Sequence, residues 1–269
     1  MKNFTVGIII STYNNPKWLE KTLWSYAVQS VAPDEIIIAD DGSDDVTRRL
    51  VEKYSETMPI KHIWHEDKGF RKTVILNKAL CAATSDYLIF TDQDCVARYD
   101  FIEIHIKFAQ KGYLLSGGYN KLSMKVSNKI TCDDVLSRRA FSFWWLLLQG
   151  QTVSFKCTKL FNNKWFSAFM NFITPTKATW NGMNSSGWRS DILAVKGFDE
   201  RMQYGGEDRE MGERLVNNGI KCKQIRYSAV LLHLDHSRPY VSKEAIEKNN
   251  AIRRETRRKC ITVTEYGLK

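Results

Sequence analysis

Short apolar runs rich in β-branched residues alternate with amphipathic stretches along the first third of the chain. Residues 4–11 (FTVGIIIS) form such a run and predict a buried strand, and Pro16 opens a segment whose apolar residues recur every three or four positions. The same pattern predicts further strands over 35–39, 60–65 and 86–91 and helices over 45–56 and 72–83. Such alternation favours right-handed βαβ units, so the predicted fold class is α/β, with a mostly parallel sheet flanked by helices.

Residues 120–178 interrupt this alternation with a stretch rich in aromatic and aliphatic side chains. Its large apolar residues are Phe141, Phe143, Trp144, Trp145, Leu146, Leu147, Leu148, Trp165, Phe166, Phe169, Met170 and Phe172. Two interpretations stay open. The stretch is either a helical subdomain that packs these residues inward, or an apolar surface for a lipid-linked acceptor or a membrane.

Regular alternation returns at Trp180 and continues to the end of the chain. The pattern predicts a helix over 208–218 that ends at Gly219, a strand over 229–232 and a charged helix over 243–259. We expect one domain over residues 1–269.

The charge of the chain is strongly positive. Forty basic residues against thirty acidic ones give a formal net charge of +10. Such an excess favours a polyanionic partner, for example an anionic membrane surface or a phosphorylated substrate. No nucleic-acid partner is expected, because the chain lacks a recognisable reading module and its acidic clusters would repel a phosphate backbone. Part of the excess lies near the end, in Arg253, Arg254, Arg257, Arg258 and Lys259.

Cysteine usage and hydropathy bear on the compartment. The six cysteines lie far apart with no CxxC pair, which favours a reducing cytoplasm over a disulfide framework or a zinc site. The chain starts without a charged-then-apolar leader, and no apolar run reaches the roughly 20 residues that span a bilayer. We expect a cytoplasmic protein, either free or peripheral at the inner face of the plasma membrane.

Polar side chains follow several of the predicted strands. Ser11 and Tyr13 follow the first strand, Asp41 follows the second, and Asp92 and Asp94 follow the strand over 86–91. Ligands of open α/β sheets bind beyond the carboxyl ends of the strands, so these residues predict one shared site.

Asp92 and Asp94 are two positions apart. In an extended chain their side chains would share one face, with Cα atoms about 7 Å apart. Two carboxylates at that spacing suit Mn²⁺ or Mg²⁺, held together with substrate phosphates. His233, at the end of a β-rich run, is a further candidate ligand, and His236 competes with it for that role.

A second acidic cluster follows two glycines, in the sequence Gly205-Gly206-Glu207-Asp208. The glycines allow the backbone to approach a ligand closely, and Asp208 falls in the first turn of a predicted helix. Asp208 is suited to cap that helix, or to accept a proton from a sugar hydroxyl. The helix N-terminus favours its ionised form, so we expect a carboxylate that is ready to act as a base near neutral pH.

Together these segments resemble the family 2 glycosyltransferases with the GT-A fold, particularly bacterial enzymes of capsule and lipopolysaccharide synthesis. Five motifs carry the resemblance: IIISTYNNP, IIIADDGSDD, GFRKTVILNKAL, DYLIFTDQDCV and GFDERMQYGGEDREMGERL. The GGED segment also resembles β-1,4-galactosyltransferases and chondroitin-synthase domains. The resemblance implies a Rossmann-like GT-A fold with an insertion. Its parts would be a nucleotide-binding half (1–119), the insertion (120–178), an acceptor and catalytic half (179–240) and a basic C-terminal helix (241–269).

The resemblance also implies roles for the nucleotide-side residues. Ser11 and Tyr13 would line the base pocket, and Asp41 would accept a hydrogen bond from the uracil imide. Arg71 would hold the edge of the base or phosphate, and Asn77 would support that wall.

For the reaction centre, the resemblance implies a second set of roles. Asp92 would contact the ribose or the metal, and Asp94 would ligate the metal in a DxD motif, with His233 as third ligand. Asp208 would be the catalytic base of an inverting reaction, and Glu207 would bind the acceptor.

The function that follows is metal-dependent, inverting transfer of a hexose from a nucleotide diphosphate sugar, UDP-linked in the simplest case. The acceptor would be a glycan or a lipid-linked saccharide in cell-surface polysaccharide synthesis. Two alternatives stay open: a nucleotidyltransferase that makes sugar nucleotides, and a non-catalytic protein that binds nucleotide sugars.

Overall fold

The first half of the chain folds into the strand–helix alternation that its hydrophobic pattern predicts. The computed structural model describes residues 3–237 and 241–269. Its first elements are β1 (Val6–Thr12), α1 (Pro16–Ala27), β2 (Glu35–Asp40), α2 (Asp45–Ser55), β3 (Ile60–Trp64), α3 (Lys72–Ala82), β4 (Tyr87–Asp92), β5 (Cys95–Ala97) and α4 (Phe101–Phe108). The predicted boundaries therefore agree with the structure to within two residues.

Strand β1 is the centre of this half, paired in parallel with β2 on one side and β4 on the other. Every residue of β1 is buried, because helices cover both faces of the sheet. Ile8 packs toward α1 with Leu19, whereas Ile9 packs on the opposite face with Ile75 of α3. Burial on both faces explains why the sequence shows continuous apolar runs here.

The second half of the chain completes the sheet and adds a smaller one. Its strands and principal helices are β6 (Tyr113–Ser116), β7 (Gly118–Lys121), α5 (Met124–Lys129), α6 (Cys132–Leu136), α7 (Phe143–Leu148), α8 (Lys164–Ile173), β8 (Ser185–Trp188), α9 (Arg189–Ala194), α10 (Glu207–Asn217), β9 (Lys221–Gln224), β10 (Val230–His233) and α11 (Lys243–Arg258). The large sheet has the order β3-β2-β1-β4-β8-β6-β9. Only β8 runs antiparallel to its neighbours there, so the predicted α/β class with a mostly parallel sheet is confirmed.

The small sheet has the order β5-β10-β7 and supports residues 120–178. Leu146 of α7 and Leu160 are buried in the same cluster as Leu232 of β10. Other large apolar side chains of the segment, such as Trp165 and Phe172, point to solvent instead. The structure therefore buries part of this segment and exposes the rest, and a lipid or membrane role for the exposed part stays a prediction.

Helix α11 packs along α10 at the end of the chain. Arg253 and Arg257 both contact Glu213 of α10, at 2.6 and 3.1 Å. Part of the basic charge predicted for this helix is therefore paired within the molecule.

Across residues 3–237 and 241–269, we find no helix with both the length and the apolar character to cross a bilayer.

Candidate active site

The carboxyl ends of β1, β2 and β4 bring several predicted site residues together. Ser11 lies opposite Asp92 in the β1–β4 register, and its hydroxyl donates to the Asp92 carboxylate at 2.5 Å. Tyr13 lies just beyond β1, is 43 % exposed, and donates to Asp67 at 2.8 Å. An exposed ring beside these carboxylates leaves an aromatic surface on which a planar base could lie.

Asp41 forms the buried centre of the neighbouring wall. One carboxylate oxygen is 2.6 Å from His65 Nε2, and the other accepts from the Arg71 backbone N–H at 2.9 Å. Burial raises the pKa of Asp41, although Arg71 and His65 act in the opposite direction. Sequence reasoning missed His65, whose position at the end of the predicted strand 60–65 was the available signal.

Asn77 lies further along α3 and bonds to the opposite half of the molecule. Its side-chain oxygen accepts from the Phe198 N–H at 2.8 Å, and its amide donates to the Phe198 carbonyl and to Glu200. These bonds attach α3 to the segment that precedes the GGED turn. A supporting role for Asn77 in the nucleotide wall stays a prediction.

The two aspartates after β4 contact different groups. The strand ends at Asp92, and Gln93 and Asp94 form a turn that leads into β5. The alternation of an extended chain therefore does not apply between them. Asp92 bonds to Ser11 and to Lys72 Nζ, at 2.5 and 2.8 Å. Metal ligation by Asp92 stays a prediction.

Asp94 lies instead against two histidines from the far end of β10. Its carboxylate is 2.8 Å from His236 Nε2 and 3.5 Å from His233 Nε2. The three residues offer ligand atoms that all lie within 4.8 Å of one another. The structure thus groups both candidate histidines with Asp94.

The chemistry of this group fits a divalent transition metal. One carboxylate and two imidazoles are ligands that Mn²⁺ accepts. His236 Nδ1 lies 2.8 Å from the Ser237 carbonyl, the kind of contact that orients a metal-binding imidazole. Within residues 3–237 and 241–269, the buried Nδ1 of His233 has no hydrogen-bond partner, so a further ligand could engage it.

Lys72 connects the nucleotide side to the acidic cluster at α10. Its ammonium lies 2.8 Å from Asp92 and 3.9 Å from Asp208. Burial opposes its charge, but Asp92, Asp208 and Glu207 together hold the pKa of Lys72 well above its usual range. The sequence reasoning missed this residue, although it follows Arg71 within the motif GFRKTVILNKAL.

The GGED segment forms the start of α10. Gly205 and Gly206 have φ values of +113° and +100°, a left-handed conformation that favours glycine. Glu207 folds back and accepts from the Gly205 N–H at 2.8 Å, so its carboxylate stabilises this turn. A Cβ at Gly182 would overlap the Asp208 carboxylate, so the absent side chain there makes room for that group.

Asp208 is the predicted base, and its carboxylate is both enclosed and accessible. The side chain is 19 % exposed, yet among the described residues its buried Oδ1 has no hydrogen-bond partner. Burial raises the pKa of Asp208 to about 7, opposed by Lys72 and reinforced by Glu207 and Asp92. Burial therefore acts on this carboxylate against the helix dipole, and the role of Asp208 as a base near neutral pH stays a prediction.

A nucleotide-binding type of sheet with acidic residues at its carboxyl edge is the arrangement of GT-A glycosyltransferases. The family model for glycosyl transferase family 2 matches residues 7–169, and the model for the N-terminal domain of galactosyltransferase matches residues 167–237. The chain belongs to glycosyl transferase family 2. The second match contains the GGED segment, which agrees with the predicted resemblance.

Curated relatives support the same family. The chain is 28% identical over 240 residues to validoxylamine A glucosyltransferase of Streptomyces hygroscopicus subsp. limoneus. That match covers 83% of this chain and 50% of the glucosyltransferase. It is 26% identical over 240 residues to chondroitin synthase of Escherichia coli, with 82% of this chain and 33% of that protein covered. The chain therefore spans half or less of the length of these relatives.

Solved structures share the fold at low sequence identity. TarS of S. aureus, residues 1–349 in complex with UDP-GlcNAc, matches with a TM-score of 0.64 at 18% identity, covering 92% of this chain and 65% of that one. The mannosyltransferase PcManGT from Pyrobaculum calidifontis, in complex with GDP-Man and Mn²⁺, matches with a TM-score of 0.59 at 18% identity. That match covers 88% of this chain and 59% of that one.

Proposed function

We propose that this chain transfers a hexose from a nucleotide diphosphate sugar to a glycan or lipid-linked acceptor, with inversion at the anomeric carbon. The observation that carries the proposal is Asp208: a partly buried carboxylate with a pKa of about 7, connected through Lys72 to Asp92 on the nucleotide side. A base whose pKa lies near the working pH is well matched to deprotonating a sugar hydroxyl.

The donor in this proposal is a UDP-sugar held along the ends of β1, β2 and β4. Ser11, Tyr13 and Asp41 would surround the uridine, and Arg71 would face its base or phosphate edge. The TarS complex with UDP-GlcNAc supports this class of donor. The position of Asn77 beside this wall is compatible with a supporting role rather than with direct contact.

The proposed cofactor is Mn²⁺ or Mg²⁺, held by Asp94 and His233, with His236 beside them and Asp92 as a further candidate ligand at the end of β4. The compact group of one carboxylate and two imidazoles favours Mn²⁺ over Mg²⁺, because Mg²⁺ prefers oxygen ligands, and the Mn²⁺ complex of PcManGT also supports Mn²⁺. When bound, the ion would supply Lewis-acid stabilisation of the negative charge on the departing diphosphate.

The catalytic step in this proposal is a single displacement. The acceptor hydroxyl attacks the anomeric carbon, the bond to the diphosphate oxygen breaks, and Asp208 takes the hydroxyl proton. Lys72 keeps part of the Asp208 population ionised at neutral pH, because a nearby cation stabilises the charged form. Glu207 would bind the acceptor while it stabilises the turn that places Asp208.

The setting in this proposal is cell-surface polysaccharide synthesis, in the cytoplasm at the inner face of the plasma membrane. The relation to chondroitin synthase supports a polysaccharide product. A chain with net charge +10 is also suited to a surface that carries anionic lipids.

A donor panel tests the proposal directly. Nucleotide sugars with UDP, GDP and other bases would be incubated with the protein and Mn²⁺ or a chelator, and nucleotide release measured. NMR of the released sugar would report its anomeric configuration. We expect metal-dependent release from a UDP-sugar, with inversion.

Two alternative functions predict different outcomes in the same panel. A nucleotidyltransferase would leave the nucleotide sugars of the panel intact and, in an added mixture of a nucleoside triphosphate and a sugar phosphate, would release pyrophosphate. A non-catalytic binding protein would bind UDP-sugars and release nothing. Either result, or a product of retained configuration, would contradict the proposal.

A further inference from the structure

Exposed apolar side chains concentrate in one part of the insertion. Ten large ones lie between residues 144 and 173, and they include Trp144 (71 % exposed), Trp165 (87 %) and Phe172 (88 %). A concentration of large exposed apolar side chains is typical of a surface that has a partner. The full set, here called the aromatic face, is Trp144, Leu147, Leu148, Val153, Phe155, Phe161, Trp165, Phe169, Phe172 and Ile173.

Helix α8 shows that the exposure follows helical periodicity. Trp165, Phe169, Phe172 and Ile173 are spaced at i, i+4, i+7 and i+8, which places them on one side of the helix. The buried Met170 lies on another side, which packs toward the protein. The helix is therefore apolar on its inward and its outward side, and the outward side is an exposed apolar surface rather than part of the core.

The inner side of the insertion is fixed to the rest of the fold. The Asn171 amide donates to the Ser228 hydroxyl at 2.9 Å, and the Asn171 side-chain oxygen accepts from the Tyr227 N–H. Gln224 of β9 donates to the backbone carbonyls of Asn171 and Thr174. Polar bonds of this kind hold α8 in place, so the aromatic face is presented by an anchored element.

The formal charges along the segment that carries the aromatic face have a single sign. Residues 135–190 contain no aspartate or glutamate, although the whole chain has thirty, and they carry seven lysines and arginines. The basic residues are Arg138, Arg139, Lys156, Lys159, Lys164, Lys177 and Arg189. Exposed aromatic residues beside lysines are the composition of surfaces that lie in an anionic membrane interface.

The insertion also reaches the proposed metal group. Lys159 donates to the Tyr119 carbonyl at 3.1 Å, and the Tyr119 ring lies 5.8 Å from the His233 ring, between centroids. The segment that carries the aromatic face is therefore in contact with the strand beside the candidate site.

We propose that the aromatic face docks the protein onto a bilayer that contains anionic lipids. This deepens the proposed function, because an acceptor with a lipid anchor would be presented from that bilayer. Its test does not depend on catalysis. The charge complementarity favours a bilayer over a second copy of this chain, since two cationic faces would repel each other.

Vesicle flotation tests the docking surface. The wild type, mixed with vesicles of neutral phosphatidylcholine or of phosphatidylcholine with phosphatidylglycerol, should float with the anionic vesicles and less with the neutral ones. High salt should weaken but not abolish the binding, because the aromatic contribution is not screened. Trp165→Ser with Phe172→Ser should reduce the bound fraction roughly tenfold or more.

Matched charge variants test which basic residues supply the electrostatic contribution to vesicle binding. Lys156→Glu with Lys164→Glu should reduce flotation on anionic vesicles, whereas Lys243→Glu with Lys248→Glu, an equal change of charge on α11, should reduce it less. Circular dichroism would verify that each variant is folded. Equal loss in both pairs would contradict the assignment to the insertion.

Two further results would overturn the proposal. In the first, the wild type would fail to float with anionic vesicles at low salt and would stay in the unbound fraction. Alternatively, sedimentation could show a dimer that Trp165→Ser with Phe172→Ser converts to a monomer, which would assign the face to a second copy. Neither result would affect nucleotide release from a UDP-sugar, so failure of this inference is distinguishable from failure of the proposed function.

Discussion

The nucleotide-side half and the insertion use apolar residues in opposite ways. Among the described residues up to 119, only Tyr13, Val46 and Trp64 are large apolar residues that are exposed, whereas residues 120–178 expose twelve. The first half buries its strands under helices on both faces. The insertion packs its inner side against a three-stranded sheet, and the outer side of the insertion is exposed to solvent. We infer that the first half holds the nucleotide donor and that the insertion determines where the protein works.

The largest expected effect tests the proposed base, Asp208 of α10, which lies 3.9 Å from Lys72 of the first half. Asp208→Asn keeps the shape of the side chain but cannot accept the proton, so turnover should fall roughly 10²- to 10⁴-fold. UDP affinity, measured by calorimetry, should change little, because Asp208 faces the acceptor side. Asp45→Asn, which changes a first-turn carboxylate on α2, is the matched control and should leave turnover unchanged. Loss of UDP binding together with turnover would show that a different carboxylate is the base.

Within the insertion, two leucines of α7 separate core from surface. Leu146 is 1 % exposed and Leu148 is 83 % exposed, although they are two residues apart. Leu146→Ala should lower the free energy of unfolding by about 2–5 kcal/mol, and Leu148→Ala by less than about 0.5 kcal/mol. Chemical denaturation measures both. Equal losses would mean that the exposed side is buried in solution, by a partner or by a different packing.

Metal dependence tests the proposed metal group, which lies beside the small sheet. The wild type should bind UDP more tightly in Mn²⁺ than in chelator, and Asp94→Ala should remove that difference. In the presence of Mn²⁺, the variant's affinity for UDP should be lower than that of the wild type by roughly 10- to 100-fold or more. Calorimetric titration of UDP measures it, with Glu52→Ala on α2 as an exposed carboxylate control. If the wild type binds UDP equally in Mn²⁺ and in chelator, the metal assignment is wrong.

A smaller effect tests the connection made by Lys72. The wild-type rate should fall as the pH is lowered through about 7, because the pKa of Asp208 lies there and only the ionised form accepts a proton. Lys72 lowers that pKa, so Lys72→Gln should move the acid limb of the pH–rate profile to higher pH. The rate at pH 7 should therefore fall several-fold more than at pH 9. An unmoved limb would show that Lys72 does not act on Asp208.

Much of the first half could be predicted because local and tertiary signals agree there. Pro16 occupies the first turn of α1, and the Asp44 side chain caps α2 by accepting from Val46 and Thr47. The strand ends then place Ser11, Asp41 and Asp92 at one edge, as parallel topology requires. The contact between Lys72 and Asp208 could not be predicted, because no local sequence signal indicates that α3 and α10 lie side by side in the folded chain.

The insertion was less predictable for a physical reason. Phe169 and Met170 are adjacent and similarly apolar, yet one is 60 % exposed and the other 8 %. Periodicity identifies an apolar side of a helix but does not tell whether a neighbouring element covers it. The turn at Gln93 and Asp94 shows the same limit, because extended-chain spacing predicted a shared face for two carboxylates that the turn directs to different partners.

The most direct test of this division of labour is the rate of UDP-sugar hydrolysis by Trp165→Ser with Phe172→Ser in solution without vesicles. Both side chains are almost fully exposed and are absent from the proposed reaction centre, so the rate should stay within about twofold of the wild type. A fall approaching that of Asp208→Asn would show that the aromatic face is part of the catalytic machinery, and would contradict the account.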